Sequence, residues 1–185
     1  PGCAPTTPAG SVVWYNEMPA LGGYITDRIG GTGSGFSANV AQIKLRRLSD
    51  NQYYTGGSWM TAITTITATN SAGTLVNWSY DTSLMDWGVS GSSYAVSCRV
   101  KDAADNQLSW VSDTVFRYDV TPPTSTITFP ATGDYVGMTG QVFYGNYYDK
   151  HSGITSSSGA VRVLLMDKTS VPNKWYYNGS WQPTM

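Results

Sequence analysis

The chain has 185 residues, a formal net charge of −1 and only 12% charged residues. Its one basic cluster is Arg46-Arg47 and no apolar run approaches the ~20 residues of a membrane helix, which argues against nucleic acid as a partner and against membrane insertion. Thr, Ser, Gly, Tyr and Trp are abundant while Lys, Glu, Leu and Ala are sparse, the balance of strands and turns.

The chain opens at Pro1 without a Met or a signal peptide, as a mature secreted product or an excised piece would. Pro1, Pro5 and Pro8 make the first ten residues an edge strand or an extended linker, because proline cannot donate to a central ladder. A second strand is expected over 21–27. The glycine-rich stretch 30–35 is a loop, and its GxG spacing is not a phosphate loop because an alternating strand over 40–46 follows it instead of a helix. Tyr53 to Trp59 brackets a Gly-Gly turn with aromatics and reads as a hairpin.

Alternation continues over 62–67 and 76–80, where Val76, Trp78 and Tyr80 share one face and Asn77 the other. The segment 94–101 predicts a central strand with Tyr94, Val96, Cys98 and Val100 inward, and 114–118 a last strand with Phe116 and Tyr118 inward. Seven or so short strands without a helical period predict an all-β fold, an antiparallel β-sandwich.

Asp119-Val120-Thr121-Pro122-Pro123-Thr124 is then a joint, because the residues after it repeat the opening of the chain. Pro130-Ala131 answers Pro8-Ala9, Gly145 answers Gly23, and Asp149 answers Asp27. Tyr176 and Gly179-Ser180-Trp181 answer Tyr54 and Gly57-Ser58-Trp59, all at a constant spacing of 122 positions. The expected organisation is one complete repeat over 1–122 and the N-terminal half of a second over 123–185, which either continues beyond the chain or is completed by another chain. A half-sandwich exposes unpaired strand edges, so strand donation from a neighbouring copy is one expected mode of assembly.

The Thr-Pro-Pro linker, Pro-Ala before the second strand, Asp before a Gly/Ser-rich loop, the Tyr-Asn-Gly-Ser-Trp hairpin, the Tyr-x-Val-x-x-x-Val strand and Asp-x-Ala-x-Asn occur here in one order. In this combination the chain resembles the immunoglobulin-like and cadherin-like repeats of large prokaryotic cell-surface and adhesin proteins. The resemblance implies Ig-like sandwiches in an extracellular or cell-surface stalk, adhesin or filament, non-catalytic, whose partners are neighbouring repeats or copies of itself. Asp105 stands where the family pattern has glycine.

In that topology Asp27, Asp102, Asp105 and Asn106 converge at the end where the chain enters, and Asp119 and Asp149 meet at the joint. Such hard oxygen ligands suit Ca²⁺, which takes 6–8 oxygens. Without a dense Asp-x-Asp-x-Asp run, turn formation through their own side chains is the favoured reading. No other cofactor is expected.

The alternative function is a carbohydrate-binding module of a larger secreted protein, with Trp59, Trp87 and Trp110 as its sugar-stacking residues and cell-surface glycans among the candidate partners, against the commoner use of aromatics as core. Cys3 and Cys98 leave one disulfide open in an oxidising compartment, although Cys98 also reads as an inert core thiol. Asn77-Trp78-Ser79 and Asn178-Gly179-Ser180 fit the N-glycosylation acceptor pattern. Catalysis is not expected: His151, the one histidine, has Ile29 as its counterpart, and no carboxylate pair sits in an apolar setting.

Overall fold

The computed structural model describes residues 1–8, 13–18, 20–27, 33–137, 142–154, 160–177 and 180–183. Among these no helix occurs, and the strands in chain order are β1 (Gly2–Thr7), β2 (Trp14–Tyr15), β3 (Leu21–Thr26), β4 (Gln42–Arg47), β5 (Gln52–Tyr54), β6 (Trp59–Met60), β7 (Ile66–Thr67), β8 (Thr69–Asn70), β9 (Leu75–Tyr80), β10 (Ser93–Arg99), β11 (Thr114–Tyr118), β12 (Thr124–Phe129), β13 (Tyr144–Tyr148), β14 (Met166–Asp167), β15 (Lys174–Tyr177) and β16 (Ser180–Gln182). The all-β expectation holds. By contacts the chain divides into two compact units, Pro1–Ser152 and Gly153–Met185.

The first unit holds a four-stranded sheet in the order β1-β3-β9-β8 and a larger sheet in the order β2-β11-β10-β4-β5-β6, with β7 beside β4. Neighbours run antiparallel except β2, which lies parallel to β11 through Trp14↔Arg117 and Tyr15↔Tyr118. The two sheets share one apolar core: Leu21, Ile25 and Trp78 come from the first, and Ile43, Leu45, Tyr94, Val96, Cys98 and Phe116 from the second. These are the positions that a period of two turns to one side, as the alternation predicts.

Two features of β10 go beyond that alternation. Ala95 and Ser97, on its other face, are buried as well. The chain after Asn106 returns along this strand, with Leu108 N–H donating to Val100 O (2.9 Å) and Val111 N–H to Cys98 O (3.1 Å). Trp110 follows and lies 4.9 Å from the Lys44 ammonium and 4.6 Å from the Arg99 guanidinium, two side chains of the same face as Ser97.

Cys98 is not a free core thiol. It forms a disulfide with Cys3 of β1, so one covalent bond joins the two sheets across a sequence separation of 95 residues.

The β12–β13 pair reproduces the β1–β3 pair residue for residue. Gly2↔Thr26, Cys3↔Ile25, Ala4↔Tyr24, Pro5↔Gly23 and Thr7↔Gly22 become Thr124↔Tyr148, Ser125↔Tyr147, Thr126↔Asn146, Ile127↔Gly145 and Phe129↔Tyr144. The irregularity falls at the same place, and the cis peptide Thr7-Pro8 has its copy in Phe129-Pro130.

In the second unit β15 and β16 pair as β5 and β6 do. Tyr176↔Trp181 copies Tyr54↔Trp59, with ring centroids 5.4 Å apart in one and 5.3 Å in the other. The copy is looser before this hairpin: β14 meets β15 at Met166↔Trp175, where strict repetition of Arg46↔Tyr53 would put Lys168.

Candidate functional site

The region that carries sequence information beyond the core is the joint after β11. Asp119 directly follows that strand, its N–H donating to Tyr15 O of β2 (2.9 Å), and its side chain is buried. One carboxylate oxygen accepts Ser90 Oγ–H (2.8 Å) and Thr121 N–H (2.9 Å), and the other accepts Ser152 N–H (3.0 Å) from the loop after β13.

Ser90 Oγ in turn accepts from Val120 N–H (3.0 Å), Thr121 N–H (3.2 Å) and Thr121 Oγ1–H (2.7 Å). The donors just before Pro122 and Pro123 are thereby satisfied, and the two prolines themselves have no N–H to satisfy. Burial on its own would raise the Asp119 pKa. The hydrogen bonds from Ser152, Ser90 and Thr121 outweigh it and hold the carboxyl at about 2.

Asp149 closes the other side of the joint. Its Oδ1 accepts His151 N–H (3.0 Å) and Ser152 Oγ–H (3.3 Å), so Asp119 and Asp149 are linked through Ser152. The His151 ring lies 6.3 Å from that of Trp14 and covers Gly91, whose N–H donates to Tyr118 O (2.7 Å). Gly91 has φ +87°, and a β-carbon built on it would collide with the imidazole, so glycine is required there on two counts.

At the opposite end, Asp27 is buried and accepts Gly35 N–H (2.7 Å) and Ser34 Oγ–H (3.1 Å). Gly35 O accepts Ala103 N–H (2.9 Å), which brings the Asp27 loop to the Asp102 loop. Asp102 folds its own turn: it accepts the amides of Ala104 and Asn106 and the Asn106 side-chain amide, all at 2.9 Å, and the Asn106 side chain leads in holding its carboxyl below the usual range. Asp105 pairs with Lys101 (2.7 Å) and adopts φ +68°. That left-handed conformation is the physical reason a glycine suits the position, and Asp tolerates it better than most residues.

Among the described residues no group of three or more His, Cys, Asp or Glu side chains is placed to hold a metal ion. Asp27 Oδ2 and both Asp102 oxygens accept from N–H and O–H donors of their own loops, as turn-forming carboxylates do.

The three candidate sugar-stacking tryptophans do not share a surface. Trp87 is corrected to a core residue: it is 7% exposed and packs on Tyr94, Phe116 and Tyr118 at centroid distances of 5.1, 5.8 and 6.2 Å. The Trp59 ring lies against Tyr54, Tyr94 and the Arg47 guanidinium, with its N–H on Asp86 O (3.0 Å). Trp110 is flanked by Lys44 and Arg99. Asn77 is exposed on β9, and Asn178 lies outside the described residues.

Ser90, Gly91, His151 and Ser152 were not singled out as site residues by sequence reasoning. One signal existed: His151 and Ser152 replace Ile29 and Gly30 of the first repeat, and departures from a repeat mark where its copies touch something different. The chain matches no known family model, no curated protein and no solved structure, so its assignment rests on its own geometry.

Proposed function

We propose that this chain is a non-catalytic extracellular structural module: tandem immunoglobulin-like repeats held in line at a Pro-Pro joint, serving to extend a surface stalk or filament. The carrying observation is the joint itself, where Asp119, Ser90 and Thr121 of one repeat meet Ser152 and Asp149 of the next in a hydrogen-bonded cluster around the buried Asp119 carboxylate. The strand order of the first unit supports the Ig-like reading, since a four-stranded sheet facing a longer one extended at both ends is the variable-type arrangement. One difference is that the inter-sheet disulfide starts from the first strand. The disulfide also suits an oxidising, extracytoplasmic setting.

The test is a distance distribution between nitroxides at Ser71→Cys and Thr132→Cys, two exposed positions on either side of the joint. A stiff joint gives one narrow peak that broadens in Ser90→Ala. A broad distribution in the parent chain overturns the reading, and retention of the chain on polysaccharide columns would replace it with glycan binding.

A further inference from the structure

The outer face of the larger sheet gathers cations that the sequence scatters. In the register of β4, β10 and β11, Lys44 lies opposite Ser97, Arg46 opposite Ala95 and Arg117 opposite Ser93, and Arg99 follows Ser97 on the same side of β10. Asp113 pairs with Arg46 (2.9 Å), whereas Lys44 and Arg99 have no ion pair among the described residues. Both are held against the half-buried Trp110 ring, and Arg99 Nε–H also donates to Gln42 Oε1 (2.7 Å). The outcome is an apolar ring flanked by two uncompensated positive charges, whose mutual repulsion an arriving negative charge would relieve.

The loop between β9 and β10 presents the reverse pattern. Thr82, Met85 and Trp87 are buried and anchor it, with Thr82 Oγ1–H donating to Met18 O (3.3 Å) and Met85 N–H to Thr82 O (3.0 Å). Leu84 stands out from these anchors between Asp81 and Asp86, and at 96% exposure it is the most exposed large apolar side chain described in the first repeat. Asp81 accepts Ser83 N–H and Asp86 accepts Gly88 N–H, both at 2.8 Å, which fixes the two carboxylates without neutralising them. Neither forms an ion pair among the described residues. An exposed leucine is ordinary on its own, but here it is the apex of a pinned loop with a negative charge on either side.

We propose that this loop docks on the Trp110 face of a second copy of the chain, with Leu84 against the ring and the Asp81 and Asp86 carboxylates on the Lys44 and Arg99 cations. The occupant is a second copy because one molecule carries both halves of the match, an apolar centre flanked by positive charge and an apolar centre flanked by negative charge. Such complementarity fixes the register of the contact and speeds encounter, and the anchored loop has little ordering entropy left to lose. The two surfaces differ, so the contact is heterologous and adds copies in one direction, as a ring or an open row. The inference goes beyond the stalk reading and draws on the first repeat alone, with no part taken by the joint.

The test is sedimentation of the full 185-residue chain at rising concentration. Self-association should appear at about 0.01 M salt and weaken at least tenfold at about 1 M, where the Debye length falls to about 3 Å. Lys44→Glu with Arg99→Glu, and Asp81→Lys with Asp86→Lys, should each leave the chain monomeric. An equimolar mixture of the two should associate again, because every contact between them then joins opposite charges. Leu84→Ser, at an almost wholly exposed side chain, should melt as the parent does and associate at least tenfold more weakly; should a charge reversal fail to fold, this variant decides alone. The proposal is overturned by a parent chain that stays monomeric at millimolar concentration, or by association that survives high salt, either reversal or Leu84→Ser. It is also overturned if the mixture of folded variants stays monomeric. Failure in any of these forms leaves the nitroxide measurement at the joint as it was, whereas a flexible joint would leave this contact standing.

Discussion

The β1–β3 and β12–β13 pairs are the same object in two settings. They share every cross-strand partner, the position of the irregularity and the cis-proline after the first strand. Yet β3 alternates buried positions with half-buried or exposed ones while every residue of β13 is exposed. Backbone pairing is therefore specified locally, by the glycine and the proline turn chemistry that both copies keep. Burial is specified by what lies opposite: β9 on the edge, and the β4, β10 and β11 side chains across the core. A two-stranded ribbon is marginal in water unless a further strand or layer covers it.

The largest expected effect breaks the comparison from the covered side. Trp78→Ala removes the ring that fills the space over Gly23 and should cost about 3–5 kcal/mol of unfolding free energy, measured by urea denaturation. Next, Ile25→Ala should cost about 2–5 kcal/mol, while Tyr147→Ala, its structural counterpart, should stay within about 0.5 kcal/mol. Equal losses at the two sites would mean that β13 is covered after all.

Smaller is Ser90→Ala at the joint, which strips the hydrogen-bonded Asp119 of one donor and should cost about 1–3 kcal/mol, read as a lowered melting temperature with the β9 side unaffected. The smallest is an acid effect. The Asp119 pKa is depressed to about 2 from an ordinary carboxylate value, so the joint's contribution is complete above about pH 4 and declines as pH falls toward 2. Subtracting the Asp119→Asn stability profile from that of the parent should leave a slope in that window and none above it.

Much of this was legible in the chain. Strict alternation places Tyr94, Val96, Cys98 and Phe116 in the core, and the spacing of 122 positions anticipates the copied registers because identical turn residues recur at identical offsets. What escaped has physical causes. Trp87 lies in a turn-rich segment where strand phase says nothing about direction, and its ring turns inward to meet Tyr94 and Phe116. β2 has two residues, too few to show a period, and pairs in parallel with a strand about a hundred positions away. Ser97 is buried on the face that alternation assigns to solvent, and the segment that returns along β10 there has no strand pattern of its own. The partnership of Cys3 and Cys98 depends on how two sheets face each other, and their spacing alone does not encode that. At the joint, the acidic residues were visible, but their common partner Ser152 is visible only once the loop after β13 folds back on Asp119.

The bond between β1 and β10 also decides how the first repeat would respond to tension applied between its N-terminal end and the joint. With Cys3 linked to Cys98, pulling force passes across the bridge and bypasses the chain between them, whose 95-residue span is held out of the load path. Only the stretch from β10 to the joint can pay out while the bridge is intact. Once it is reduced, rupture should release roughly 310–340 Å of additional contour at about 3.3–3.6 Å per residue. An optical-tweezer trace with and without reductant would show the difference as a change in step length. The second repeat has Ser125 where the first has Cys3, so its first strand cannot form the same bridge.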